Sequence, residues 1–290
     1  MAMQTRVITR LAVSGALMLL GWQTTCGAAY AQDKEAKVAD LRAGKSFIPT
    51  EVCSEEDDRK LLQLFAGLRV SDVADGMDSV GLQNVGLVSP EIRPLWRDTE
   101  HYIHRFVGIA VTARYVPTNK PPIGRRETAE FDRRAGEWYQ NLSPEPFVPL
   151  IRRGTALVIE DAESADVGTI GSNNILGWKA RGCVGVVTGA TARDTDEITA
   201  QRVPLYFKKP GRGIRPGRNE IESVNRPVVV GGALVVPGDV IVADGDGVVV
   251  VPRRHAEAVA RYARAILEGD KAGRRKLYQK LGLPADDSVK

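Results

Sequence analysis

Residues 171–198, GSNNILGWKARGCVGVVTGATARDTDEI, carry the reading on which the rest of the chain depends. Small polar residues suited to starting a helix open the stretch, and a short helical segment follows. The chain then enters an apolar run, Cys183-Val184-Gly185-Val186-Val187, of the length and β-branched composition expected of a buried strand. A turn ends the run, and beyond it Arg193 and Asp194 stand side by side, with Asp196 and Glu197 close behind. Such a segment predicts a strand that delivers a guanidinium and a carboxylate to a loop near a helix N-terminus.

Working outward, TALVIE at residues 155–160 reads as a short buried strand and runs into an acidic turn at 161–163. Strand, turn, helix and strand in that order make a βαβ-like unit, which places strand carboxyl ends beside helix N-termini. Upstream, RFVGIAVTARYV at 105–116 predicts a central strand. Residues 128–142 predict an amphipathic helix that turns Phe131, Trp138 and Leu142 to one side. Arg125, Arg126, Arg133 and Arg134 read as solvated charge.

Further upstream, a helix is expected from near Asp58, through Leu61, Leu62, Leu64, Phe65 and Leu68. A second is expected from Ser71 to Gly81, with Ser71 or Asp72 as N-cap and Asp75 and Asp78 on its solvated face. Downstream, 203–207 predicts another strand and 208–218 a basic, glycine-rich loop. Four short valine-rich strands follow, at 226–230, 231–236, 239–243 and 247–252. Asp244-Gly245-Asp246-Gly247 resembles part of a calcium loop without its later acidic ligand, and a hairpin turn is the better reading. A final helix is expected from near Arg254 to about Leu281, marked by Ala258, Tyr262, Ile266 and Leu277, with Gly269 and Gly273 as places where it would break.

Residues 1–31 read as a secretory signal peptide. Arg6 and Arg10 precede an apolar segment at 11–22, shorter than the roughly 20 residues of a membrane span, and Ala29-Tyr30-Ala31 is a small-x-small ending. Cleavage after Ala31 would place the protein in the periplasm or outside the cell, with no membrane attachment. Loss of the two arginines lowers the formal charge from +4 to +2, which gives no reason to expect a nucleic-acid partner. Residues 32–57 read as a flexible arm, and 58–290 as a single domain. Cys53 and Cys183 could pair, but the place of Cys183 in an apolar strand favours a core residue. Of the three cysteines, two would remain after cleavage, too few for a cysteine-ligated metal site.

The central stretch holds the candidate chemistry. A helix beginning at Ser172-Asn173-Asn174 exposes backbone N–H groups that can receive a small anion. Arginine offers paired planar donors for a carboxylate or a polarised carbonyl, and aspartate is a hard oxygen ligand for magnesium or manganese. On the residues alone, a plain surface ion pair between Arg193 and Asp194 stays open.

Taken together, GSNN, ARGCVGVV, ATARDTDEI and GDVIVADGDGVVVVP resemble the RraA-like family, and SDVADGM and FVGIAVTA extend the likeness from about residue 60 onward. This family holds the regulator of ribonuclease E activity A and the 4-hydroxy-4-methyl-2-oxoglutarate aldolases, once known as demethylmenaquinone methyltransferases. The resemblance implies an α/β swivelling-domain-like fold with a C-terminal helix, assembled as trimers or hexamers with sites between subunits. It also implies a divalent-metal-dependent lyase, with Mg2+ or Mn2+ on Asp194, Arg193 on the 2-oxo acid, and the loop from Gly171 through Ser172, Asn173 and Asn174 receiving the substrate carboxylate. Cleavage of a C–C bond would pass through a pyruvate enolate without a lysine Schiff base, in a retro-aldol reaction or in oxaloacetate decarboxylation. A further acidic group, Asp270 or Glu268, is expected from a neighbouring subunit, with Asp270 reaching the metal through water. The alternative within the family is a non-catalytic binding or regulatory protein. Ser172 stands where the aldolases often carry an acidic residue, and Asn174 where an aliphatic one is usual.

Overall fold

A computed structural model describes residues 38–161 and 166–290. The signal segment at 1–31, the first residues of the arm at 32–37 and the middle of the acidic turn at 162–165 lie outside the described residues.

In chain order the elements begin with α1 (Val38–Ala43), α2 (Glu55–Phe65), α3 (Val70–Ser79), β1 (Arg93–Pro94), β2 (Phe106–Pro117) and α4 (Thr128–Asn141). The central unit is β3 (Thr155–Glu160), α5 (Ser172–Ala180), β4 (Cys183–Thr188), β5 (Thr191–Ala192), α6 (Thr195–Ala200) and β6 (Leu205–Phe207). The chain closes with β7 (Lys209–Pro210), β8 (Asn219–Val224), β9 (Val228–Val230), β10 (Ala233–Val235), β11 (Val240–Asp244), β12 (Gly247–Val251) and α7 (Ala256–Leu281).

The main sheet runs β1-β6-β4-β3-β2-β11-β12, with β8 also paired to β2. Its centre, β2-β3-β4-β6, is parallel, and the remaining pairings are antiparallel. The predicted βαβ unit is therefore present as β3-α5-β4, and β4-α6-β6 repeats it. Strand periodicity divides β11 and β12 between two cores. Val240, Val242, Val249 and Val251 pack with Phe65, Val73, Met77, Val259 and Ala263 of the helices. Ile241, Ala243, Val248 and Val250 face the β9–β10 hairpin instead. A third core, with Ile175, Trp178 and Ile198 on β3, β4 and β6, anchors the helices that flank the candidate site. Apolar residues on both faces explain the near-continuous valine runs. The result is the α/β arrangement with a curved, barrel-like sheet and C-terminal helix that the family resemblance implies.

Several boundaries differ from expectation. The arm is not wholly unstructured: α1 lies within it, and α2 begins at Glu55, because the Ser54 hydroxyl accepts the Asp57 N–H and four carboxylates fill the first turn. Helix α3 is capped by Arg69, not by Ser71 or Asp72. Asp72 lies three residues inside, where its carboxylate accepts the backbone N–H and the guanidinium of Arg69 at 2.9 Å each. Asp75 and Asp78 are exposed, in line with the sequence. The basic loop contains β7, and β8 follows it where no strand is expected from the residues. Residues 244–247 form the β11–β12 turn, and the Asp244 carboxylate accepts the N–H groups of Asp246 and Val70.

Helix α7 passes unbroken through Gly269 and Gly273. Its buried stripe is Ala256, Val259, Ala260, Ala263 and Leu267; Tyr262 and Leu277 are exposed. Cys183 is a free, buried thiol, pushed up to about 11 by burial, and is therefore not paired with Cys53. Among the described residues, no helix is long and apolar enough to cross a membrane.

Asp239, in the turn before β11, accepts the N–H groups of Val236 at 2.9 Å and Arg253 at 3.0 Å. Burial nevertheless raises its carboxyl from 3.8 to about 6. A folded value above the unfolded one gives stability that is fully present below pH 3.8 and is lost as pH rises through about 6. Asp239→Asn should remove this dependence. In urea titrations between about pH 4 and about pH 7, the wild type should lose on the order of 2 kcal/mol that the variant does not.

Candidate functional site

The site is built by a parallel pairing outside the main sheet. Ile170 bridges Ala192, the N–H of Arg193 donates to the Ile170 carbonyl at 2.8 Å, and Gly171 is thereby placed against Asp194. A Cβ on Gly171 would stand 2.9 Å from Asp194 Oδ2, and one on Gly168 would stand 2.6 Å from Arg193 Cβ and 2.8 Å from its Cγ and Cδ. Both glycines let backbone lie flat against the two functional side chains.

Gly171 is the N-cap of α5, so Ser172, Asn173 and Asn174 occupy its first turn and are not the cap that the sequence suggests. Glycine has no side chain to cap with, and Asp194 supplies the missing acceptor. Its Oδ2 accepts the Ser172 N–H at 3.0 Å and the Ser172 hydroxyl at 3.3 Å. Asp194 reaches this position with φ of +56°, a left-handed conformation that aspartate tolerates better than most residues. Arg193 Nε lies 3.6 Å from Asp194 Oδ1, and each side chain is 36% exposed. The surface ion pair is thus present, but within a built corner that contains the start of a helix.

Asn174 turns away from this corner. Its amide donates to Glu145 Oε1 at 2.5 Å, beside Trp178 Nε1 at 3.0 Å to Oε2 and Arg215 Nη2 at 2.8 Å to Oε1. Arg215 also donates to the Tyr115 hydroxyl at 2.9 Å, and burial of that phenol raises its pKa well above the ordinary tyrosine range. Glu145 therefore fixes the first and second turns of α5 to the body. Sequence reasoning misses Glu145, Arg215 and Gly168; the first two lie in the aperiodic segments on either side of the central stretch. Asn173 is exposed at the helix start.

Asp270 lies on α7, where it receives Arg69 Nη2 at 2.9 Å and lies 3.6 Å from Arg274 Nη1. Among the described residues, no group of three His, Cys, Asp or Glu side chains could hold a metal ion. What the corner offers is one hard carboxylate, partly exposed, whose Oδ1 faces Arg193 Nε and whose Oδ2 meets the Ser172 hydroxyl. That donor set fits magnesium in its usual hydrated mode, where one carboxylate suffices if substrate oxygens and waters complete the shell.

A family profile described as RraA-like, Aldolase/RraA, matches residues 70–250. The chain belongs to the RraA-like family. The protein DlpA of Legionella pneumophila is 25% identical over 235 residues, which are 77% of this chain and 33% of that protein. A Halalkalibacterium halodurans protein named "Putative 4-hydroxy-4-methyl-2-oxoglutarate aldolase" is 31% identical over 121 residues, 41% of this chain and 57% of that one. The chain thus spans between a third and somewhat over half of the length of these curated relatives. Among solved structures, RraAS2 of Streptomyces coelicolor, described as an unusual member of the RNase ES inhibitor RraA protein family, superposes with a TM-score of 0.59 at 22% identity. It covers 78% of this chain and 99% of that one, a likeness of fold.

In this RraA-like chain the corner makes Gly168 a sharp test of geometry. Gly168→Ala should displace the Arg193 stem by a few tenths of an ångström or more. Any reaction that depends on Arg193 should slow at least about tenfold, because misplacement of a positioning group by about 1 Å can cost a hundredfold. Because the closest contact is the Arg193 Cβ, which the backbone fixes, the pairing of residues 168–171 with 191–193 must give way as well, and the melting temperature should fall by a few degrees, which circular dichroism checks.

Proposed function

We propose that the chain is a divalent-metal-dependent lyase that cleaves a C–C bond of a 2-oxo acid, by retro-aldol cleavage of the 4-hydroxy-4-methyl-2-oxoglutarate type or by oxaloacetate decarboxylation. The observation that carries this reading is the convergence of Arg193, Asp194 and the first amides of α5 on one solvent-open corner. The names carried by distant relatives support the same class.

Asp194 Oδ1 would hold Mg2+ or Mn2+, which when bound supplies Lewis-acid polarisation of the substrate's oxygens. Arg193 has terminal nitrogens available to the keto oxygen and a carboxylate. As the C–C bond breaks, its electron pair moves toward the keto carbon and negative charge develops on that oxygen, where the guanidinium stabilises it. Pyruvate results once the enolate carbon takes a proton from solvent; in the retro-aldol case the hydroxyl on the departing carbon gives its proton to solvent as it becomes a carbonyl, and in the decarboxylation the departing carboxylate leaves as CO2. The N–H groups at the start of α5 suit the substrate carboxylate.

The corner lies open on the protomer, and α7 carries exposed Leu277 and Leu281 beyond its packed stripe. These features support self-association, as a trimer or hexamer, with a neighbour closing the site and bringing an acidic group such as Asp270. Export to the periplasm belongs to the same proposal.

The deciding experiment is direct. With Mg2+ or Mn2+, purified protein should release pyruvate from oxaloacetate or from 4-hydroxy-4-methyl-2-oxoglutarate, a chelator should stop the release, and added metal should restore it. Failure with both substrates and both metals would remove the lyase reading. It would favour instead a non-catalytic RraA-like binding protein.

A further inference from the structure

A second recess lies at the opposite end of β4 from Arg193 and Asp194. It has a volume of about 460 Å3 and is floored by Phe106, Val107, Val184 and Pro204, with Arg105, Lys179 and Arg202 around it. Among the described residues, no acidic side chain lines it. Surface arginines elsewhere in the fold are commonly matched by carboxylates, as Arg133 is by Glu137 and Arg134 by Glu130. Here the neighbours are of another kind. Arg105 lies 3.8 Å from the centre of the Tyr102 ring, and Arg202 lies 5.3 Å from that of Trp96. Lys179 donates to the carbonyls of Gln201 and Arg202 at the end of α6.

Aromatic and carbonyl contacts hold these three cations in place without neutralising them. Tyr102 and Arg202 both adopt positive φ, +55° and +53°, a costly conformation for residues of that size. Arg202 takes it as the residue after the α6 C-cap, where its N–H donates to the Thr199 carbonyl and that of Val203 to the Ile198 carbonyl, so the end of α6 sets where this side chain leaves the chain.

We propose that this recess binds a free amphiphilic carboxylate of the fatty-acid kind, its chain on Phe106, Val107 and Val184 and its head group between Arg105 and Arg202. The recess is shallow and open on one side, and its lining, an apolar floor with a few placed cations, has the polar and apolar pattern of a small-ligand site. The charge is complementary to a single anionic head, and guanidinium groups present paired donors to a carboxylate. The site is separate from the catalytic proposal and does not depend on it.

Calorimetric titration of the full chain with decanoate tests it. Binding is expected with Kd at or below about 1 mM. It should weaken at least tenfold in the double variant Arg105→Glu, Arg202→Glu and with decanol in place of decanoate, and it should be unchanged in Arg193→Ala. Val184→Trp, which fills the floor and leaves every cation in place, should abolish it. The proposal is overturned if decanoate does not bind, if the charge-reversal variant binds as the wild type does, or if decanol binds equally well. It is also overturned if the protein binds only phosphatidylglycerol vesicles, since that would make the recess a membrane contact.

Discussion

Arg193→Ala and Asp194→Ala should each lower pyruvate release by at least about a hundredfold, because removing one preorganised donor at a developing oxyanion costs roughly 10²–10³ in turnover. The two variants should differ in stability. Arg193 makes its ion pair at the surface, and its loss should leave the fold almost untouched. Asp194 also caps α5 through Ser172 and sits at φ of +56°, so alanine there loses a cap worth about 1 kcal/mol and adds left-handed strain of about 1 kcal/mol. Asp194→Asn separates these roles: asparagine tolerates the conformation and keeps an oxygen for the Ser172 N–H, but lacks the negative charge. Its melting temperature should match the wild type and its activity should match Asp194→Ala. An Asn variant with full turnover would show that Asp194 serves only as a cap.

The largest loss of stability is expected from Asp58→Ala. This carboxylate, 9% exposed, accepts Arg253 Nη1 at 2.7 Å through Oδ1 and Arg152 Nη2 at 2.5 Å through Oδ2. It joins the first turn of α2 to the loop before β3 and to the segment leading into α7. Removing it leaves the mostly buried Arg253 guanidinium without its anion and Arg152 with only the exposed Glu55, 3.8 Å away. Breaking a buried pair from one side costs about 3–5 kcal/mol. Because Arg152 is partly solvated, about 3 kcal/mol is the better expectation here, which corresponds to a fall of roughly 6–12 °C in melting temperature. Equilibrium urea unfolding checks it, with Asp58→Asn as the milder partner. A change below about 0.5 kcal/mol in both would mean that solvent already screens the trio.

How much of this is legible in the sequence follows from how local each feature is. The β3-α5-β4 unit can be read because its strands are short apolar runs with a polar helix start between them, and nothing distant is needed to specify them. The apolar spacing of Leu61 and Phe65 puts the start of α2 near Asp58, past the Ser54 cap and the acidic first turn that begin the helix in the fold. Gly269 and Gly273 suggest breaks in α7 that do not occur. A single glycine costs only about 1 kcal/mol in a helix, and the flanking residues continue the turn, with Asp270 and Arg274 pairing four apart. Strand β8 escapes a sequence reading because its polar residues Asn219, Glu220 and Glu222 lack the apolar signature, and pairing with β2 is what makes it a strand.

At the site, Arg193 and Asp194 stand out by adjacency. The Asp194 cap on α5 spans 22 residues and the Glu145 contact with Asn174 spans 29, and no local pattern encodes either. Ser172 and Asn174, which the family resemblance marks as departures, acquire separate meanings. Ser172 adds a hydroxyl to the Asp194 cap, and Asn174 belongs to the Glu145 brace.

The cap on α5 also bears on ligand selectivity. Because Asp194 already occupies the Ser172 amide, any incoming anion competes with a tethered carboxylate whose effective concentration is in the millimolar range or above. Chloride, phosphate or a simple carboxylate gains little by displacing it. An anion that also gives Arg193 a second oxygen to hold would recover that cost, so on the lyase reading the resting corner would favour two-point ligands over one-point ones.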